Sequence, residues 1–131
     1  MKVLMAFTKT SGGSGKIEGE FTTNVIFKAD PLDLFNRNAI YMRNILKQAC
    51  LTKNQFLEYA NGKPKFAWNV LNPIRYERKF ELPKRMPQSW CYIDDNTILL
   101  AIKKNWGDLI LDGKKTKEIR ATHPKIKEEE K

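Results

Sequence analysis

The sequence predicts an α+β fold, or a small barrel carrying peripheral helices, and three observations lead there. Segments with two-residue periodicity outnumber those with helical periodicity. The two kinds do not alternate strand–helix–strand around a glycine-rich phosphate loop, as a doubly wound sheet requires. No segment repeats along the chain. At 131 residues, 41% apolar and 11% aromatic, the chain suits one compact domain with a core that needs no disulfides.

Residues 3–7 form the first apolar strand. Ser11-Gly-Gly-Ser-Gly15 reads as a flexible turn or an engineered linker; it is too short to separate a pair of domains, so it is expected to join two strands of one sheet. Ile17, Gly19, Phe21, Thr23, Val25 and Phe27 recur at period two, which predicts one long strand over residues 16–28. Gly19 on its apolar face marks a bulge or a close backbone approach. Asp30 is a good N-cap and Pro31 a good first helical residue. A helical stripe then runs from Leu34 to Cys50, and Asn36, Asn38 and Asn44 weaken it enough to break it in two. Thr52-Lys-Asn-Gln55 is a capping-box signature for a short helix that Asn61-Gly62 ends. Residues 65–70 read as a strand, continued over 71–80 past a turn at Asn72-Pro73. Pro83, Pro87 and the basic pair Lys84-Arg85 make residues 82–92 irregular. After a turn at Asp94-Asp-Asn96, residues 97–102 are an apolar strand. Asn105 caps a helix over 106–112, Gly113 ends it, and residues 115–121 are the last strand.

The net charge is +9 and the isoelectric point about 9.6, which favours polyanionic partners. No apolar run approaches the ~20 residues that span a bilayer, so no membrane partner is expected. The first residues lack a signal-peptide pattern, and the two cysteines, Cys50 and Cys91, lack metal-ligand spacing. An intracellular, cytoplasmic chain with reduced thiols, no metal and no cofactor is the expectation.

Two polar clusters could carry chemistry. In Gly113-Lys-Lys-Thr-Lys-Glu-Ile-Arg120, a strand sends Glu118 and Arg120 to one face and Ile119 to the core. Lys115, where helix hands over to strand, can lean toward Glu118. A Lys, a Glu and an Arg around one cavity suit a polar anion: the guanidinium binds phosphate or a base edge, and Lys with Glu can move protons. The same residues also suit a solvated strand with a structural ion pair. In Pro87-Gln-Ser-Trp-Cys-Tyr92, Trp90 and Tyr92 share a face and Ser89 offers a hydrogen bond, which fits stacking on bases as well as core aromatics beside a turn. His123 has no carboxylate to orient it. A third reading uses the helices of residues 31–60 as a protein-docking surface, which exposed Phe35, Tyr41 or Phe56 on one face would support.

Residues 98–106 followed by 109–120 resemble the opening block of the ASCH domain (activating signal cointegrator homology). That block is a strand, a short helix closed by glycine, and a G-x-K-x-x-E-x-R motif, here Gly113, Lys115, Glu118 and Arg120. Gly19-Glu-Phe21 resembles the G-E-F strand that follows the family's first hairpin, and residues 87–93 resemble the end of many family chains. The quoted stretches make up less than a third of the chain. Their order differs: the family runs charged motif, G-E-F, P-Q-S, and this chain runs G-E-F, P-Q-S, charged motif. That is the order of a circular permutation, with Asp94-Asp-Asn96 joining the family's usual end to its usual start. Exchange of chain segments between neighbouring molecules is the rival explanation.

The resemblance implies a PUA-like fold, a small mixed β-barrel with helices at its side and a cleft, over residues 1–124, with 125–131 as a charged tail. It implies binding of RNA or a nucleotide-like small molecule by Lys115, Glu118 and Arg120, with Lys114, Trp106, Ser89 and Trp90 as further candidates. Some relatives cleave RNA and others are amidohydrolases on acetylated cytidine. The alternative function is therefore a hydrolase with Lys115 as base or nucleophile and Glu118 as its partner. The amidohydrolase pattern places threonine where this chain has Glu118, and glutamate where it has Ala49 and Cys50, so the chain departs from that type. A monomer or a segment-swapped dimer fits the permuted order.

Overall fold

A computed structural model describes residues 1–126 of the chain; the expected charged tail lies, beyond its first two residues, outside the described residues. The fold is α+β. In chain order the elements are β1 (Lys2–Phe7), β2 (Ile17–Thr22), β3 (Ile26–Ala29), α1 (Ala39–Gln48), α2 (Lys53–Ala60), β4 (Lys65–Asn69), β5 (Leu71–Phe80), β6 (Trp90–Asp94), β7 (Thr97–Ile102), α3 (Lys104–Leu111) and β8 (Lys117–Arg120), with short 3-10 helices at Lys9–Ser11 and Pro31–Phe35. Among the described residues the strands lie in two hydrogen-bonded sheets rather than one closed barrel. The chain divides into two compact units, residues 1–23 with 70–114, and residues 24–69 with the segment from Lys115 on.

The first unit holds a mixed sheet in the order β5-β2-β1-β7-β6. β1 pairs antiparallel with β2 through the glycine-rich turn and parallel with β7. Val3, Met5 and Phe7 stand opposite Ile98, Leu100 and Ile102, and all six are at most 1% exposed. Burial of each contributes about 1.5–3 kcal/mol before chain entropy is set against it. The other face packs Ala6, Ile17 and Leu99 with Tyr76, Leu82 and Cys91. Gly19 is a close approach, as its position suggested: a Cβ there would lie 2.6 Å from the Ile74 carbonyl oxygen and 2.7 Å from Leu111.

Two local expectations fail in this unit. Asn105 does not cap α3; Lys103 is its N-cap, and the Lys104 N–H donates to the hydroxyl of Ser11 at 2.9 Å. A side chain distant in sequence thus does the work assigned to a local one. Asn72-Pro73 does not interrupt a strand but lies inside β5. Asn72 takes the left-handed φ of 49°, and β5 is an edge strand, where proline costs no ladder bond.

The second unit is an antiparallel sheet, β3-β4-β8, packed by two helices. Ala29, Ala67 and Ile119 meet Met42, Ile45, Leu46 and Phe56 in its core. The stripe over residues 31–50 is indeed broken: Asp30 accepts from Leu32 N–H at 3.0 Å and starts only a 3-10 turn, and α1 begins after Asn38. The capping box at Thr52 and Gln55 forms in full. The single strand expected over residues 16–28 is two strands in two sheets. The backbone N–H groups of Asn24 and Val25 donate to the Asn69 side-chain oxygen at 2.9 and 3.0 Å, so an amide replaces the ladder where the chain changes sheets. β2 buries alternate residues, as the pattern required, whereas in β3 only Ala29 is fully buried, so the period-two face ends with the first of the two strands.

Candidate functional site

Lys115, Glu118 and Arg120 converge in the second unit. β8 starts at Lys117, two residues later than the sequence pattern suggested, so Lys115 and Thr116 precede it as a connector. That connector ends helix α1. Cys50 takes φ 57°, the Leu51 N–H donates to Leu46 O and the Cys50 N–H to Lys47 O, which is a Schellman closure with cysteine where glycine is usual. The carbonyls of Gln48 and Ala49 remain. Thr116 N–H donates to the first at 2.8 Å and the Lys115 ammonium donates to the second. A cation is thereby set on the negative end of the helix dipole.

Glu118 bridges the two cations. Its Oε1 lies 3.4 Å from Lys115 Nζ and its Oε2 accepts from Arg120 Nε at 2.7 Å. The side chains of Lys115, Glu118 and Arg120 are 3%, 7% and 14% exposed, so the cluster is a buried triad rather than the open lining that the charge pattern alone suggested. Burial of three charges is tolerable only because each faces an opposite charge or a polar oxygen. Ile119 points the other way into the core, as alternation required.

Around Arg120 the sheet register gathers aromatic side chains. Phe66 is opposite Arg120 and Trp68 opposite Glu118. The His123 ring meets Phe66 edge-on, with centroids 4.7 Å apart. Tyr59 of α2 is exposed, and Lys65 Nζ lies 5.1 Å from its ring centre. Burial pushes the Tyr59 phenol up; the charge of Arg120 opposes this and that of Glu118 adds to it. Lys117, on the opposite face, is held below the usual ammonium value by burial and lies 5.0 Å from the Phe27 ring centre.

The remaining candidates lie in the first unit. Trp90 and Tyr92 of β6 share a face and stack edge-on at 5.4 Å, as the extended reading required; the Ser89 carbonyl accepts from Ala101 N–H at 2.8 Å. Trp106 is half-buried on α3, and Lys114 is exposed just after it. No sequence signal marked Phe66 as the cross-strand neighbour of Arg120, because that pairing comes from sheet register. Of the docking residues, Phe35 and Tyr41 are exposed whereas Phe56 is fully buried. Among the described residues no group of His, Cys, Asp and Glu could hold a metal ion, and no helix is long and apolar enough to cross a membrane. Comparison with family models, with curated proteins and with solved structures gave no match.

Proposed function

We propose that this chain is an ASCH-like domain of PUA type, in permuted order, and that its second unit binds single-stranded RNA or a nucleotide-like anion at the surface around Arg120. The observation that carries this reading is the cluster of the three motif charges with Phe66 across the strand pair from Arg120 and the His123 ring against Phe66, beside the exposed Tyr59, whose phenol responds to the charges of Arg120 and Glu118. Arginine recognises phosphate or a base edge, and exposed rings stack on unpaired bases. Lys115 and Glu118 act behind Arg120: they fix the strand and hold the guanidinium in place. The net charge of +9 adds a non-specific attraction that falls with salt.

Fluorescence anisotropy with a labelled single-stranded RNA of about ten nucleotides tests this. Arg120→Gln and Tyr59→Ala each weaken binding about fivefold or more at matched salt. Wild-type affinity in both variants, with circular dichroism unchanged, overturns the reading. Hydrolysis with Lys115 as base or nucleophile is the second reading. It requires Lys115 to release the Ala49 carbonyl, and product formation lost in Lys115→Ala is its signature.

A further inference from the structure

A second basic feature of this unit lies on its helical side. A cavity of about 360 Å³ is lined by Leu34, Arg43, Leu46, Lys47, Leu51 and Lys53. Its floor is leucine and its rim is cationic, with no acidic side chain in the lining. Arg43 and Lys47 are one helical turn apart on α1, a spacing at which like charges repel, and α1 carries no acidic residue to offset them. Among the described residues none of the three cations forms an ion pair. Lys53 instead lies 4.7 Å from the ring centre of Phe35, which is 65% exposed. Leu32 and Ile40, which flank this region in sequence, are 69% and 72% exposed.

We infer that this groove docks an acidic amphipathic peptide of a partner protein, with leucine or phenylalanine anchors seated on Leu34, Leu46 and Leu51 and carboxylates facing Arg43, Lys47 and Lys53. Helix self-repulsion and solvent exposure of apolar side chains are both relieved by an occupant of that chemistry. A phosphate chain satisfies the rim and leaves the leucine floor wet. A flat bilayer satisfies exposed side chains and does not enter a concavity. A short helix with apolar residues at i and i+4 between glutamates satisfies both. The inference is independent of RNA binding around Arg120.

The full chain is titrated into a fluorescein-labelled peptide of about twelve residues with leucine anchors between glutamates. Arg43→Glu/Lys47→Glu is compared with a charge-matched control, Lys63→Glu/Arg78→Glu, at exposed positions that do not line the groove. The groove variant binds the peptide at least about tenfold more weakly than the control, and a lysine-for-glutamate peptide regains binding to it. RNA affinity is the same in the two variants. Equal peptide binding by both variants overturns the inference. So does a loss in the groove variant confined to RNA or to anionic phosphatidylserine vesicles.

Discussion

The ammonium of Lys115 donates to the backbone carbonyl of Ala49, sixty-six residues earlier in the chain. With Thr116 on Gln48, this contact completes the hydrogen bonding of the α1 C-terminus. The same nitrogen faces Glu118, so one lysine ties a helix end to an edge strand. A motif that reads as a ligand site is therefore also a structural joint.

Removal of a triad member ranks the three residues. Glu118→Gln leaves two cations with their shared counter-charge gone and costs about 3–5 kcal/mol. Lys115→Met loses the helix cap and one ion pair and costs about 2–4 kcal/mol. Arg120→Gln, at the most exposed position of the three, costs about 1–2 kcal/mol. Urea denaturation gives the order directly, and an Arg120 variant less stable than the Glu118 variant contradicts the bridging role.

Gly19→Ala tests the packing of the first unit. The added methyl meets a backbone oxygen of β5 and a methyl of Leu111 at contact distances that require movement. Overpacking of this kind costs about 1–3 kcal/mol. A thermal melt within error of wild type means that β5 yields freely at its shifted register.

Alkaline stability follows from Tyr76. Burial pushes its phenol up, and its hydrogen bond to Glu20 at 2.8 Å and the charge of that carboxylate push it further. The folded chain keeps the proton where the unfolded chain releases it, at about pH 10. Stability from this group is complete below that pH and is lost as pH rises above it. Tyr41 and Tyr59 are shifted the same way, chiefly by burial. Tyr76→Phe flattens the fall in unfolding free energy above about pH 10 without abolishing it; an unchanged slope removes Tyr76 as its source.

Local chemistry was legible in the sequence and tertiary substitution was not. Asp30, the Thr52–Gln55 capping box, the Asn61-Gly62 stop and the strand over residues 97–102 lie where their own residues placed them. Alternation put Ile119 in the core and paired Glu118 with Arg120. Two of the misses share one cause: a distant group did the work of a local signal. Ser11 took the place of Asn105 at the start of α3, and Asn69 broke the strand that ran on past Thr22 in the pattern. The burial of Lys115 was equally hidden, because its partner is a backbone carbonyl, which every residue carries.

The most direct measurement of the RNA-binding reading is a ¹H–¹⁵N correlation titration of the full chain with a short single-stranded RNA at low and moderate salt. Binding around Arg120 predicts shifts that cluster on Tyr59, Phe66, Arg120 and His123 and persist at moderate salt. Shifts scattered over surface lysines and erased by salt, or absent from those four residues, contradict it.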